Sequence, residues 1–221
     1  MTDNKKSGIA LVLGTFGGIV TMGIHPTSSG SVTPPQLEHL ALHSAIAHSL
    51  AMVSCFVLVL GVCGLTRHLA RPNRLAFSAM VAYCFAAVAV LIATAVSGFI
   101  VPQIMLRMAQ DVPSAASQWH IAIVSIFQIN QAFSKIYTVA VSVAMGLWSI
   151  SALRHGGLGR KISLYECLAA VVLVLAIASG LLKLDVHGMT IVVLAQAIWF
   201  VGAGMQLGLA KQDPTAAAEA L

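Results

Sequence analysis

Charge is confined to the seams of this chain, and that confinement limits the fold more than any other feature. Its 12 Lys and Arg and 7 Asp and Glu make up 9% of 221 residues, where an average soluble domain carries about 25%. Between the charged seams lie six apolar stretches, at about residues 8–24, 36–65, 76–110, 115–153, 162–182 and 188–210. A hydrocarbon layer of ~30 Å needs ~20 apolar residues of helix to cross it, with a working range of ~17–25. Inside lipid a helix satisfies its own backbone, whereas an open strand does not. The expectation is an all-α integral membrane protein, a six-transmembrane-helix bundle forming one polytopic membrane domain over residues 1–221.

The net charge of +5 sits in short loops and marks no nucleic-acid surface. Counted by loop, Lys5, Lys6, Arg67, Arg71, Arg74, Arg154, Arg160, Lys161 and Lys211 fall on one side of the six spans. Arg107 and Lys183 fall on the other, and Lys135 lies within a span. The excess of positive charge on cytoplasmic loops then puts both termini in the cytoplasm of a multi-pass plasma (inner) membrane protein. The first run follows Lys5 and Lys6 as a signal peptide would. It ends Gly23-Ile24-His25-Pro26 with no A-x-A-like cleavage site, and reads as an uncleaved first helix. Gly14 and Gly18 give that helix the spacing at which helices approach closely.

Helix length introduces a second expectation. Counting twenty residues back from Arg154 reaches Lys135, back from Arg67 reaches His48, and forward from Arg74 reaches about Thr94, each step covering ~30 Å. The second, third and fourth helices therefore overrun the bilayer and are expected to extend into an extracytoplasmic cap. There Phe99, Ile100, Val101, Ile104 and Met105 would pack with Trp119, Ile121, Ile123 and Phe127, or be covered by a partner. Pro102 removes a backbone donor and should bend the third helix.

The fourth run carries the clearest pattern. At 100° per residue, His120, Gln128, Gln131, Lys135, Thr138, Ser142 and Ser149 fall within an arc of roughly 80°. Ala122, Ile126, Ile129, Phe133, Ile136, Ala140, Ala144 and Leu147 lie opposite. A polar stripe on an apolar helix points to a lined path marked by Lys135, or to a Lys135 at the outer boundary that reaches the headgroups.

Histidine placement adds to it. Only His68 and His155 of the eight histidines lie in the cytoplasmic loops. His25, His39, His43, His48, His120 and His187 map to the outer side, with Glu38, Asp111 and Asp185. Neutral imidazoles bind zinc, copper and haem iron. His39 and His43, four residues apart, share one helix face and suit a metal with His25 and His187. His48 stands about 140° round from His43, so a cofactor site on His43, His48 and His120 needs several segments. Met22, Met105, Met108 and Met189 lie on the same side and suit Cu(I) as further ligands.

Cys55, Cys63, Cys84 and Cys167 sit singly in apolar runs, as buried thiols do. Glu166 suits the positive start of its helix, and Gln196 and Gln206 read as interhelical hydrogen bonders. No phosphate loop, nucleophile elbow or dinucleotide fingerprint occurs in the sequence. Three functions follow from these features. The first is a His-rich outer site holding haem, copper or zinc for electron transfer or metal handling. The second is a small-solute or proton-coupled transporter using the stripe. The third is a structural or assembly subunit of a larger membrane complex. The expected partners are the lipid bilayer and a larger complex or homo-oligomer, with no nucleic acid.

Overall fold

The computed structural model describes residues 3–26, 33–69, 74–112 and 116–209. Arg71, Lys211 and the tail after residue 209 lie outside them. The chain forms α1 (Asp3–Gly23), α2 (Pro34–Leu69), α3 (Leu75–Ala95), a π-helical turn (Val96–Ile100), α4 (Val101–Gln110), α5 (Ala116–His155), α6 (Arg160–Ala178) and α7 (Val186–Leu209). With α3, the π turn and α4 running on as one, six helices among the described residues are long and apolar enough to cross a membrane. The chain has the build of a multi-pass membrane protein. The fifth span stops short of the expected residue 182. Gly180 takes φ of 75°, and the N–H groups of Gly180 and Leu182 turn back onto the carbonyls of Ile177 and Ala176.

Small residues decide which helices touch. A Cβ on Gly8 would run into the backbone of Gly204 and come within 2.8 Å of Gly208 N. One on Gly61 would stand 2.8 Å from Leu11, and one on Gly14 2.9 Å from the Leu58 backbone. Lipid tails are as apolar as leucine, so close approach through small residues drives helix association here. Accordingly α1 is wedged between α2 and α7. Along α3, α5 and α7, Trp148 stacks on Trp199 at 6.0 Å and Tyr83 meets Phe200 edge-on at 6.2 Å. Trp148 Nε1 donates to Thr66 Oγ1 at 3.1 Å. Phe16, Phe56, Phe77 and Phe85 are turned outward and exposed, as lipid-facing side chains are.

One end of the bundle is flush. Gly157, between α5 and α6, stands over Leu69 and His68 at the end of α2. Gly64 of α2 abuts Ser7 of α1, and the Gly159 N–H donates to Gln206 Oε1 of α7. From this proximal end α1, α6 and α7 run for 21, 19 and 24 residues, about 28–36 Å at 1.5 Å per residue. The 36 residues of α2 and 40 of α5 extend about 54–60 Å. Their surplus lies at the distal end, where α4 packs on both.

The bend expected at Pro102 is accommodated one turn earlier. Val101 N–H reaches back to the Val96 carbonyl, a five-residue step that leaves the Ser97 carbonyl without its usual helical donor. The next residue, Pro102, has no N–H to give it. Ser44 of α2 supplies the missing donor, its Oγ reaching Ser97 O at 3.2 Å. Such π turns cluster at functional sites, and this one forms the wall of the cavity described next.

Candidate site: a histidine pair at an apolar cavity

Against the π turn lies His48, buried at 6% exposure. Gly98 makes room for it: a Cβ there would run into His48 Cβ and come within 2.6 Å of His48 Cγ. Its Nδ1 donates to the Ser44 carbonyl at 2.7 Å. His25, just beyond α1, meets it edge-on, with ring centroids 5.0 Å apart. His25 Nδ1 donates to the Pro26 carbonyl at 3.2 Å. Burial holds the His25 ring below its ordinary value of 6.5, against a smaller upward pull from that hydrogen bond.

A carbonyl accepts only, so both neutral rings carry their proton on Nδ1. Each Nε2 is left as a lone pair, and neither has a hydrogen-bond partner among the described residues. The two rings line a cavity of about 500 Å³. It is bounded by α1 (Gly18, Met22), α2 (Cys55), α3 (Tyr83), α5 (Phe127 to Tyr137) and the start of α7 (Met189, Val193). Gly18 opens onto it, with nothing within 4 Å of where a Cβ would stand. Apolar surface makes up most of the wall, with polar side chains set into it. Asn130 Oδ1 is buried without a partner, and Gln131 Nε2 donates to Leu184 O at 2.9 Å. Tyr137 OH donates to Gln196 Oε1 at 2.8 Å. Asp185, an acidic residue in the lining, accepts the Gly188 N–H at 2.9 Å as α7 begins.

The structure brings His25 and His48 together and separates the other histidines expected at a site. His39 and His43 share a face as their spacing requires, with rings 6.0 Å apart. That face is exposed, and His43 Nδ1 is engaged by the His39 carbonyl at 2.9 Å. His120 and His187 are exposed. Among the described residues no three His, Cys, Asp or Glu side chains converge as a metal cluster would. Neither His43, His48 and His120 nor His25, His39, His43 and His187 is gathered into one shell. The reason is angular: His48 lies on the inward face of α2, and His39 and His43 on the outward one.

The stripe on α5 divides in the same way. Thr138, Ser142 and Ser149 are buried and Gln131 half-buried, whereas Gln128 and Lys135 are exposed. The inward face of α5 is centred near Ser134, rotated by roughly 80° from the middle of the stripe. Gly98, Ser44, Asn130, Ser134, Tyr83 and Tyr137 were not legible as site residues, because each matters through a neighbour on another helix. Comparison of the chain with protein-family models, curated proteins and solved structures returned no match.

Proposed function

We propose that this protein binds a neutral amphipathic molecule with a hydroxyl head, its apolar body in the cavity and its head on the His25–His48 pair. The observation that carries this reading is a pair of touching imidazoles, each with its Nδ1 engaged by a carbonyl, lining an apolar space of about 500 Å³. That volume is in the range of small-molecule sites, about 300–1,000 Å³, and far exceeds what an ion needs. Lone pairs in such surroundings call for a donor, and a ligand hydroxyl supplies one.

We further infer that the distal end is extracytoplasmic. The described residues Lys5, Lys6, Arg67, Arg74, Arg154, Arg160 and Lys161 all cluster at the proximal end, the arrangement expected of a cytoplasmic face. The surplus of α2, α4 and α5 would then stand as a cap over the outer leaflet. The cavity would lie beneath it, at the depth of the lipid headgroups.

A second reading rests on the 5.0 Å between the rings. With metal–nitrogen bonds of about 2.1 Å, each ring centroid stands about 3.2 Å from a bound ion. Imidazoles on opposite faces of a haem then lie about 6.4 Å apart, and imidazoles at a tetrahedral angle about 5.2 Å. The pair suits one ion gripped from one side, with Met22 or Met189 as a soft third ligand for Cu(I). It does not give the spacing of two imidazoles on opposite faces of a haem.

One preparation separates these readings: protein purified without chelators or a His-tag, split between mass spectrometry of its organic extract and elemental analysis. The proposal expects a stoichiometric organic molecule, lost in Gly18→Leu, which fills the cavity, and in His48→Leu. An equal organic complement in Gly18→Leu would overturn it. A stoichiometric metal lost in His48→Leu but kept in Gly18→Leu would favour the ion instead.

A further inference from the structure

Six buried side-chain atoms have no hydrogen-bond partner in the protein among the described residues: Asn130 Oδ1, Ser142 Oγ, Ser149 Oγ, Glu166 Oε2, Gln196 Nε2 and Trp199 Nε1. All six lie on three consecutive helices, α5, α6 and α7. Unpaired buried polar groups are uncommon in folded proteins and are ordinarily met by internal water. Their confinement to one seam is therefore a property of the seam.

The seam has a direction. Glu166 is buried at 2% exposure and stands about 9 Å into α6 from its first residue. No basic side chain pairs with it among the described residues; the Lys6–Asp3 ion pair lies away from it at the α1 terminus. Ser149 lies at the same depth, about 9 Å from the last residue of α5. The antiparallel register supports this, since a Cβ on Gly146 of α5 would lie 3.9 Å from Ala170 Cβ of α6. Trp199 joins from α7, stacked on Trp148 beside Ser149.

Two turns further along the buried edge of α5, past Met145, the hydroxyls of Ser142, Thr138 and Ser134 follow at four-residue spacing, all buried. Thr138 Oγ1 donates to Ser134 O at 2.9 Å, and Ser134 lines the cavity. On the α7 side, Tyr137 OH, also in the cavity wall, donates to Gln196 Oε1 at 2.8 Å and ties that wall to the seam.

We propose that this seam is a proton path, with Glu166 as its proximal donor and acceptor and the histidine cavity as its distal end. The proton on the Glu166 carboxyl passes to a water held by Ser149, and each relay gives up one proton as it receives another. The last proton is delivered at Ser134, and the Glu166 carboxylate is reprotonated from the proximal side. No bond to carbon changes and no oxidant is needed. A carboxyl group buried in a spanning segment marks a proton or ion route by default. Here it is buried at the depth of the Ser149 hydroxyl, with no counter-charge beside it among the described residues. The path follows from the geometry of the seam and does not depend on what fills the cavity.

The test is proton entry into vesicles of neutral and anionic lipid that contain the full chain and a pH-sensitive dye, driven by a valinomycin-clamped potassium potential. Entry should exceed that of protein-free vesicles and fall to their level in Glu166→Gln. Glu166→Asp should retain it, Ser142→Val should lose it by filling the seam, and Lys135→Met, on the exposed edge of the stripe, should leave it unchanged. Fluorescence of Trp148 and Trp199 checks that each variant keeps its packing. Wild-type entry no faster than in protein-free vesicles would overturn the proposal. So would Glu166→Gln entry equal to wild type, or entry lost in every folded variant alike, Lys135→Met included.

Discussion

Replacing Gly98 by alanine tests how the seat of His48 is built. In an ordinary helix this change stabilises by about 0.5–1 kcal/mol, because alanine has less backbone freedom to lose. Here the added methyl would collide with His48 Cβ and stand 2.6 Å from His48 Cγ. Overpacking of this kind costs about 1–3 kcal/mol, so Gly98→Ala should destabilise by a net ~0.5–2 kcal/mol. Melting temperature moves by roughly 2–4 °C per kcal/mol in a chain of this size. The variant should therefore melt about 1–8 °C below wild type in mild detergent, followed by tryptophan fluorescence. In a His48→Gly background the obstruction is gone and the sign should reverse, Gly98→Ala raising the melt by about 1–4 °C. Such a reversal is a coupling that only contacting positions show. A Gly98→Ala protein that melts at or above wild type would refute the claim that Gly98 makes the seat.

Three further outcomes follow from named contacts. Tyr137→Phe removes the donor to Gln196 Oε1 and leaves the Gln196 amide unpaired at both ends, which should cost about 1–3 kcal/mol; adding Gln196→Leu should recover most of it, read as the melt of the double variant. The His25 ring is held below its ordinary 6.5, so its contribution is intact above that pH and is lost as pH falls toward the folded value. His25→Gln should flatten the melting-temperature profile over that acidic window and leave it unchanged above it. Lys135→Met lies on an exposed position and should shift the melt by no more than about 0.5 kcal/mol; a larger loss would return Lys135 to the bundle interior.

The spans were legible because lipid imposes one rule on every residue of a helix, and a run of apolar side chains obeys it locally. The ends of α2 and α5 were legible too, since Arg67 and Arg154 mark a water boundary. Where the reading of the chain fell short, the cause was always a contact between helices. Helical spacing draws attention to His39 and His43, yet i, i+4 neighbours share whichever face they have, and theirs is exposed. His48 counted as the histidine that did not fit, and its angular offset is what turns it inward to His25. The π turn was foreshadowed by Pro102, but its position depends on Ser44 of another helix supplying the donor that proline lacks. Glu166 reads as a residue suited to a helix start until α5 and α7 close over it. The α5 stripe was real as a pattern. Packing then divided it, burying Thr138, Ser142 and Ser149 and leaving Gln128 and Lys135 outside.

The central claim is that two neutral imidazoles present bare Nε2 atoms to the cavity. Nitrogen-15 NMR of histidine-labelled protein in lipid at neutral pH measures this directly, with His25→Gln and His48→Gln assigning the two rings. Both rings should carry their proton on Nδ1, with each Nε2 unprotonated and shifted when the cavity is plugged by Gly18→Leu. A proton on Nε2 of either ring, or signals indifferent to Gly18→Leu, would contradict the account.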